Sequence, residues 1–276
     1  MAPPTMLPPP EIQPVALFHR ELGGSLLPAV VILHGMLGSS RNWQTAGRHL
    51  AEHRRVFALD LRNHGLSPHA GTMTYKAMVA DVLAWMDGQG LSRIELVGHS
   101  MGGKVAMLLA CRHPERVSGL VVVDISPKDY QGQAHRDEFA AMNELELGGL
   151  KSRAEAETRM EGRVPSWAMR KFLATNLERS PDGTFRWLVN LSAMTAAQSA
   201  LERNSLSSGD RFEGPVLFVI GGKSGYVSSE DQEQTRRHFP RAEFLVLEGS
   251  GHNPHIDARE ALVAAIAASL SSPEGS

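Results

Sequence analysis

Short apolar, β-branched runs alternate with longer segments of helical period from about residue 28 onward, and this alternation constrains the fold of the chain more than any other feature. A strand buried on both faces reads as a continuous apolar run, and parallel strands need a crossover segment, usually a helix, between them. The pattern therefore predicts an α/β fold with a mostly parallel central sheet and helices on both faces. The candidate strands are AVVILHG, RVFALDL, IELVGHS, VSGLVVVDIS, PVLFVIGG and AEFLVLEG, with PVALFHREL as an antiparallel edge strand.

One interval of the chain lacks this alternation. Between Asp124 and Pro215 we find no convincing strand, only helical pieces rich in Ala, Glu, Arg and Met that SPDGTF interrupts. We therefore predict a helical cap at residues 125–214, inserted into a core formed by residues 15–124 and 215–272.

The bulk composition narrows the class of protein. Apolar residues make up 42% and charged residues 21%, and the net charge is -2, which favours neither disorder nor nucleic-acid binding. The single cysteine, Cys111, excludes an internal disulfide framework and a multi-cysteine metal motif. The proline-rich residues 1–14 contain no Lys or Arg, so we predict a disordered leader rather than a targeting signal. The most apolar helical stretch, ALVAAIAASL, is too short to span a bilayer, and we expect a soluble, cytoplasmic protein with no metal ion.

The stretch VGHSMGG, residues 97–103, has the form G-x-S-x-G between a predicted strand and a predicted helix. Such a turn is so tight that only glycine at positions 98 and 102 lets the neighbouring backbone pass, and it exposes the hydroxyl of Ser100. The helix that follows points its N-terminal N–H groups toward that hydroxyl. Ser100 is therefore the candidate nucleophile, with a plain strand-to-helix turn as the alternative.

The loop LHGMLGSSRNW, residues 33–43, follows the first central strand, where a second oxyanion donor is expected. The backbone N–H groups of Met36 and Met101 are the candidate donors. His34 is interpreted as a structural hydrogen-bonding residue rather than a base, because it lies at the strand end beside a glycine turn.

The stretch EGSGHNPH, residues 248–255, puts a histidine in a glycine-bracketed loop after the last strand. A general base for a serine must be an imidazole that reaches the carboxyl edge of the sheet, and this loop can present one. His252 is the candidate base. His255 is the alternative base, or a residue that caps the final helix.

The loop VIGGKSGYV, residues 219–227, contains no acidic residue, although many serine hydrolases carry the triad acid there. Asp124 is instead the first polar residue after the run LVVV, at the edge where catalytic groups collect, and it is the candidate acid. Its alternative is a structural carboxylate at a strand end. Asp231 is explained by a capping box with Ser228. Ser224 is either an auxiliary hydroxyl that holds the geometry of the acid and the imidazole or a turn residue.

The chain resembles the α/β-hydrolase fold serine esterases of the YbfF type, whose mitochondrial relatives are called abhydrolase domain-containing proteins. The motifs that carry the resemblance are LHGMLGSSRNW, LDLRNHGLS, GHSMGGKVAM, VVVDISP and GGKSGYV, and it runs from about residue 15 to 270. The resemblance implies that the acid is Asp124 and that a serine in the later loop matches Ser224. It also implies hydrolysis of carboxyl esters, with acyl thioesters as a further class, and no cofactor.

The residues and the resemblance together predict a serine esterase that works through a Ser-His-Asp triad and an acyl-enzyme. Trp187, Phe185 and Met194 in the predicted cap are candidates for an apolar acyl pocket, or else they form the core of the cap. The expected partner is a small-molecule ester or thioester with an apolar acyl group. The alternatives are a cofactor-free perhydrolase or haloperoxidase or a carbon-carbon bond hydrolase with the same triad, and a non-catalytic binding protein of this fold.

Overall fold

The computed structural model describes residues 12–52, 54–130 and 135–270. Most of the predicted leader, residues 1–11, lies outside the described residues. The described strands are β1 (His19–Gly23), β2 (Ala29–Leu33), β3 (Val56–Leu59), β4 (Ile94–His99), β5 (Val117–Val123), β6 (Leu177–Arg179), β7 (Phe185–Trp187), β8 (Val216–Gly221) and β9 (Ala242–Leu247). The described α-helices are α1 (Gln44–Leu50), α2 (Tyr75–Gly88), α3 (Met101–Arg112), α4 (Arg136–Glu144), α5 (Arg153–Arg159), α6 (Trp167–Ala174), α7 (Leu191–Glu202), α8 (Ser229–Thr235), α9 (Pro254–Asp257) and α10 (Arg259–Leu270).

Seven of the strands form one sheet in the order β1-β3-β2-β4-β5-β8-β9. Strand β1 is antiparallel to β3, and all the other neighbours in this sheet are parallel. The predicted α/β fold, its six parallel strands and its antiparallel edge strand are therefore confirmed. Because the strands run parallel, the loops that follow β2, β4, β5, β8 and β9 emerge at the same edge of the sheet.

The sheet separates two apolar layers, as strands buried on both faces require. On one face Val31 and Leu33 of β2 pack in a cluster with the buried residues of α2 and α3. On the other face Val30 and Ile32 pack in a cluster with those of α1 and α10. All five residues of β2 are buried, and burial of each large aliphatic side chain stabilises the fold by about 1.5–3 kcal/mol. This double burial is why the sequence shows uninterrupted apolar runs.

The interval predicted as a helical cap, residues 125–214, is called the cap interval below. It contains helices α4 to α7, and it also contains strands. The expectation that it lacks strands is wrong, because β6 and β7 form a two-stranded antiparallel sheet. SPDGTF is the turn of this hairpin: Ser180 N–H donates to the Thr184 carbonyl at 2.8 Å, and Gly183 has a φ of 87°. Each strand has only three residues, which is too short for an alternating pattern to be legible.

This interval has an apolar cluster of its own, to which Leu37 of the loop after β2 also belongs. The Asn176 side chain donates to the Leu37 carbonyl at 2.9 Å, and Asn190 N–H donates to the Asn63 carbonyl at 2.9 Å. These bonds hold the interval above the carboxyl edge of the main sheet. Within the part of the chain that is described, no helix is both long and apolar enough to cross a membrane.

Candidate active site

The site begins at a strained turn between β4 and α3. Ser100 stands between His99 and Met101 with φ 51° and ψ -117°, a backbone conformation that costs a non-glycine residue about 1–3 kcal/mol. A Cβ at Gly98 would lie 2.4 Å from the carbonyl oxygen of Gly102, and a Cβ at Gly102 would lie 2.4 Å from a carbonyl oxygen of β2. Glycine at both positions is therefore obligatory for the turn, which lifts the Ser100 hydroxyl clear of the sheet edge.

Three side chains from separate loops meet at this turn. The Ser100 Oγ lies 3.1 Å from Nε2 of His252, and Nδ1 of His252 lies 2.7 Å from Oδ2 of Asp124. Ser100 follows β4, Asp124 follows β5 and His252 follows β9. The Asp124 side chain is buried, whereas that of His252 remains partly accessible. The three residues predicted as nucleophile, base and acid are thus joined by two consecutive hydrogen bonds.

The second oxygen of Asp124 fixes the orientation of the carboxylate. Its Oδ1 accepts hydrogen bonds from Gly221 N–H at 2.8 Å and from the Ser224 hydroxyl at 2.9 Å. Because Oδ1 already accepts two hydrogen bonds, Oδ2 is left for His252, and an imidazole that carries its proton on Nδ1 donates it there. Nε2 is then free of a proton and can accept one from Ser100. Ser224, predicted as an auxiliary residue or a turn residue, is bonded directly to Asp124.

Asp231 lies outside this arrangement. Its side chain accepts from Ser228 N–H at 2.8 Å while Ser228 Oγ accepts from Asp231 N–H at 3.1 Å, which is the capping box that the sequence predicts for α8. It also pairs with Lys128 at 2.5 Å. These contacts account for the Asp231 carboxylate without any part in the site.

The candidate oxyanion donors border the same hydroxyl. Met101 is the first residue of α3, so its N–H has no acceptor within the helix. Met36 follows Gly35, at which a Cβ would lie 3.3 Å from the Cβ of Ser100. Among the described residues, the backbone N–H of Met36 has no hydrogen-bond acceptor, and Met36 lines the same cavity as Ser100. Both N–H groups are therefore available to an oxygen bound at Ser100.

The neighbouring histidines are neutral and structural. Nε2 of His34 accepts from Leu61 N–H at 3.0 Å and its Nδ1 donates to the Gly35 carbonyl at 2.8 Å, as a structural residue should. Burial lowers the pKa of His34. His255 stacks on Trp43 with ring centroids 4.7 Å apart, and burial lowers its pKa to about 4. Its Nδ1 is buried without a hydrogen-bond partner among the described residues, and the imidazole bonded to Ser100 is that of His252.

Two contacts of His252 have no counterpart in the sequence predictions, one to its backbone and one to its ring. Nε2 of His99 donates to the His252 carbonyl at 2.7 Å, which ties the loop after β9 to the end of β4. The ring of Tyr226 lies face to face with the ring of His252, with centroids 3.8 Å apart and planes 16° apart. The only signal in the sequence is the position of Tyr226, two residues after Ser224 in GGKSGYV.

A cavity of about 490 Å³ opens at Ser100, between the sheet edge and the cap interval. Met169 and Phe172 of α6 supply its apolar wall, while His135 and Glu138 at the start of α4 supply a polar wall. A hydrogen bond from His135 lowers the pKa of Glu138. The cavity therefore combines an apolar side with an ionised carboxylate.

The pocket residues predicted from the sequence lie elsewhere, and that prediction is corrected. Phe185 and Met194 are buried in the apolar cluster of the cap interval, with Trp187 packed against it, and none of the three lines the cavity at Ser100. The physical reason is that β7 and α7 direct Phe185 and Met194 into the apolar cluster shared with α4, α5 and α6. The apolar side chains that line the cavity come from α6 instead. Within the described residues, no cluster of three His, Cys, Asp or Glu side chains is arranged to hold a metal ion.

Comparison with known proteins gives consistent similarities. A family model described as alpha/beta hydrolase fold matches residues 28–259. The sn-1-specific diacylglycerol lipase ABHD11 of Mus musculus is 36% identical over 255 residues, covering 90% of this chain and 82% of the mouse protein. Esterase YbfF of Escherichia coli is 32% identical over 237 residues, covering 86% of this chain and 91% of the bacterial one. The solved structure of a marine microorganism esterase has a TM-score of 0.87 at 31% identity, covering 91% of this chain and 98% of that one.

Proposed function

This chain belongs to the alpha/beta hydrolase fold family, and we propose that it is a serine esterase that cleaves carboxyl esters through a Ser100–His252–Asp124 triad and an acyl-enzyme. The observation that carries the proposal is the unbroken chain of hydrogen bonds from Ser100 Oγ through the imidazole to the Asp124 carboxylate. A serine hydroxyl is a weak nucleophile, and an adjacent base is what activates it.

In the proposed first half-reaction Ser100 Oγ attacks the ester carbonyl carbon while Nε2 of His252 takes the hydroxyl proton. The carbonyl oxygen becomes an oxyanion, and the N–H groups of Met36 and Met101 donate hydrogen bonds to it. The carbon–oxygen bond to the alcohol then breaks, and His252 returns the proton to the leaving alkoxide. The acyl group remains on Ser100.

In the second half-reaction water attacks the acyl carbonyl carbon with His252 as base again, and Ser100 leaves as the alcohol with the acid as product. Asp124 stabilises the imidazolium that forms in each half-reaction. Ser224 supports this role by donating to Asp124 at 2.9 Å, which holds the carboxylate plane in line with Nδ1.

The proposed substrate is a small-molecule ester or thioester with a neutral, apolar acyl group. A cavity of about 490 Å³ is the size of a small-molecule site, and Met169 and Phe172 offer an apolar surface. Glu138 and Asp257 line the cavity, and the described lining residues include no Lys or Arg. This charge distribution disfavours an anionic acyl group. The similarity to a diacylglycerol lipase and to esterases supports the ester bond as the target.

A fluorophosphonate probe tests the activated nucleophile directly. We expect one probe to be incorporated per chain in the wild type and none in Ser100→Ala, together with hydrolysis of p-nitrophenyl butyrate by the wild type alone. Labelling without hydrolysis of any ester or thioester in a chain-length series would favour another triad reaction. Absence of both would favour a binding protein. The cytoplasmic location stays a prediction, and fractionation of the source cells tests it.

A further inference from the structure

Resting on this proposed function, we propose that Tyr226 is a positioning residue for the general base. Its ring, supported from behind by Tyr130 and Lys104, sets the plane of the His252 imidazole and stabilises the imidazolium that forms during the reaction. The triad bonds alone do not do this, and no motif in the sequence assigns Tyr226 a role.

The first argument is geometric. The hydrogen bonds of His252 to Asp124 and Ser100 engage its two ring nitrogens but leave the imidazole free to tilt out of its plane. A flat surface against the ring face removes that freedom. Tyr226 provides the surface, with centroids 3.8 Å apart and planes 16° apart, and so directs Nε2 toward Ser100.

The second argument is electrostatic. The face of an aromatic ring carries negative charge density and attracts a cation placed over it. His252 is neutral when the ester binds and becomes a cation as Ser100 gives up its proton. Tyr226 therefore interacts more strongly with the transition state than with the ground state, which is the condition for an effect on kcat.

The third argument is that Tyr226 is itself held in place. The Tyr130 ring stacks with the Tyr226 ring at 5.5 Å, and the Tyr130 hydroxyl donates to the Tyr226 carbonyl at 2.9 Å. That hydroxyl also accepts from Ser126 N–H at 2.9 Å, just beyond the end of β5. Tyr226 is thereby joined to the segment through which the chain leaves Asp124 for the cap interval.

Lys104 completes the support. It lies one turn after Ser100 on α3, its side chain is 2% exposed, and its Nζ is 4.9 Å from the centroid of the Tyr130 ring. Nζ donates to the carbonyls of Glu202 at 3.1 Å and Arg203 at 2.6 Å, at the end of α7. The stack Lys104–Tyr130–Tyr226–His252 thus connects the nucleophile helix and both ends of the cap interval to the base.

The test compares Tyr226→Leu, which removes the aromatic face, with Tyr226→Phe, which keeps it. With p-nitrophenyl butyrate we expect kcat of Tyr226→Leu to fall about two- to thirtyfold while KM changes less than about twofold. Tyr226→Phe should restore most of kcat. Trp187→Leu is the matched control, because Trp187 is a large aromatic residue outside the cavity, and its kcat should stay at the wild-type value.

A rise in KM with kcat unchanged would overturn the positioning role, because it would make Tyr226 only part of the cavity wall. An unchanged kcat in Tyr226→Leu, or equal losses in Tyr226→Phe and Tyr226→Leu, would overturn it as well. Should Tyr226→Leu not fold, Lys104→Met serves in its place: a loss of kcat without a change in KM supports the stack, and no loss refutes it. Ser100→Ala is measured alongside, since turnover in that variant would refute the proposed function itself.

Discussion

Replacing Asp124 with asparagine changes the charge of one group in the site and almost nothing in its shape. In the wild type Oδ1 of Asp124 accepts from the Gly221 N–H and the Ser224 hydroxyl, and Oδ2 accepts from Nδ1 of His252. The amide of asparagine has only one oxygen, and the backbone N–H of Gly221 cannot turn away. The amide oxygen therefore takes the Oδ1 position, and the amide NH₂ faces the imidazole.

An NH₂ group cannot accept the proton on Nδ1, so the imidazole changes tautomer and carries its proton on Nε2. In that form Nε2 of His252 cannot accept the Ser100 proton, and no charge stabilises the imidazolium. We expect kcat/KM to fall about ten-thousandfold, which corresponds to about 5.5 kcal/mol of lost transition-state stabilisation. Steady-state hydrolysis of p-nitrophenyl butyrate measures this loss, with thermal unfolding as the check that Asp124→Asn is folded.

Asp231→Asn is the matched control. It weakens the capping box and the pair with Lys128, which costs about 1 kcal/mol of stability, but it leaves the triad bonds intact. Its kcat/KM should stay within a few-fold of the wild type. The assignment of the acid is refuted if Asp124→Asn keeps turnover within tenfold of the wild type, or if Asp231→Asn is the variant that loses it.

Three further outcomes are expected. Gly102→Ala forces a Cβ against backbone oxygens and should lower the free energy of unfolding, measured by urea denaturation, by about 1–3 kcal/mol. Gly88→Ala has open space at its Cβ and should raise the free energy of unfolding by up to about 1 kcal/mol. Burial lowers the pKa of His255 from 6.5 to about 4, so its contribution to stability is complete above pH 6.5 and is lost as the pH falls toward 4. In urea titrations His255→Phe should reduce the loss between these pH values by on the order of 3 kcal/mol. Phe172→Ala opens the cavity wall and should raise the ratio of kcat/KM for octanoate over butyrate esters about tenfold, while Phe185→Ala in the cap cluster should lower stability and leave that ratio unchanged.

Each of these has an outcome that contradicts it. Equal stability of the two glycine variants would mean that the turn between β4 and α3 is not sterically constrained. An unchanged pH dependence in His255→Phe would mean that His255 is not held neutral in the folded chain. A shift in chain-length preference in Phe185→Ala, but not in Phe172→Ala, would mean that the acyl group binds at the residues predicted from the sequence and not at α6.

The main sheet and the candidate triad are both legible in the sequence for a common reason. A strand buried on two faces is mostly apolar, so the polar residue that follows it marks the sheet edge. Ser100 and Asp124 are such residues, and His252 lies in the loop after β9. Parallel strands then bring these three loops together at one edge of the sheet, whatever side chains the intervening helices carry.

The strands of the cap interval and the residues that line the cavity depend on the tertiary structure and could not be predicted from the sequence. The three-residue strands β6 and β7 carry no legible period, and which helix faces Ser100 depends on how α6 and α7 pack. The face-to-face contact of Tyr226 with His252 joins two loops that follow different strands, and no local pattern encodes it. Backbone conformation and strand burial impose rules on residues that are near in sequence, whereas the packing of one loop against another imposes them only once the chain is folded.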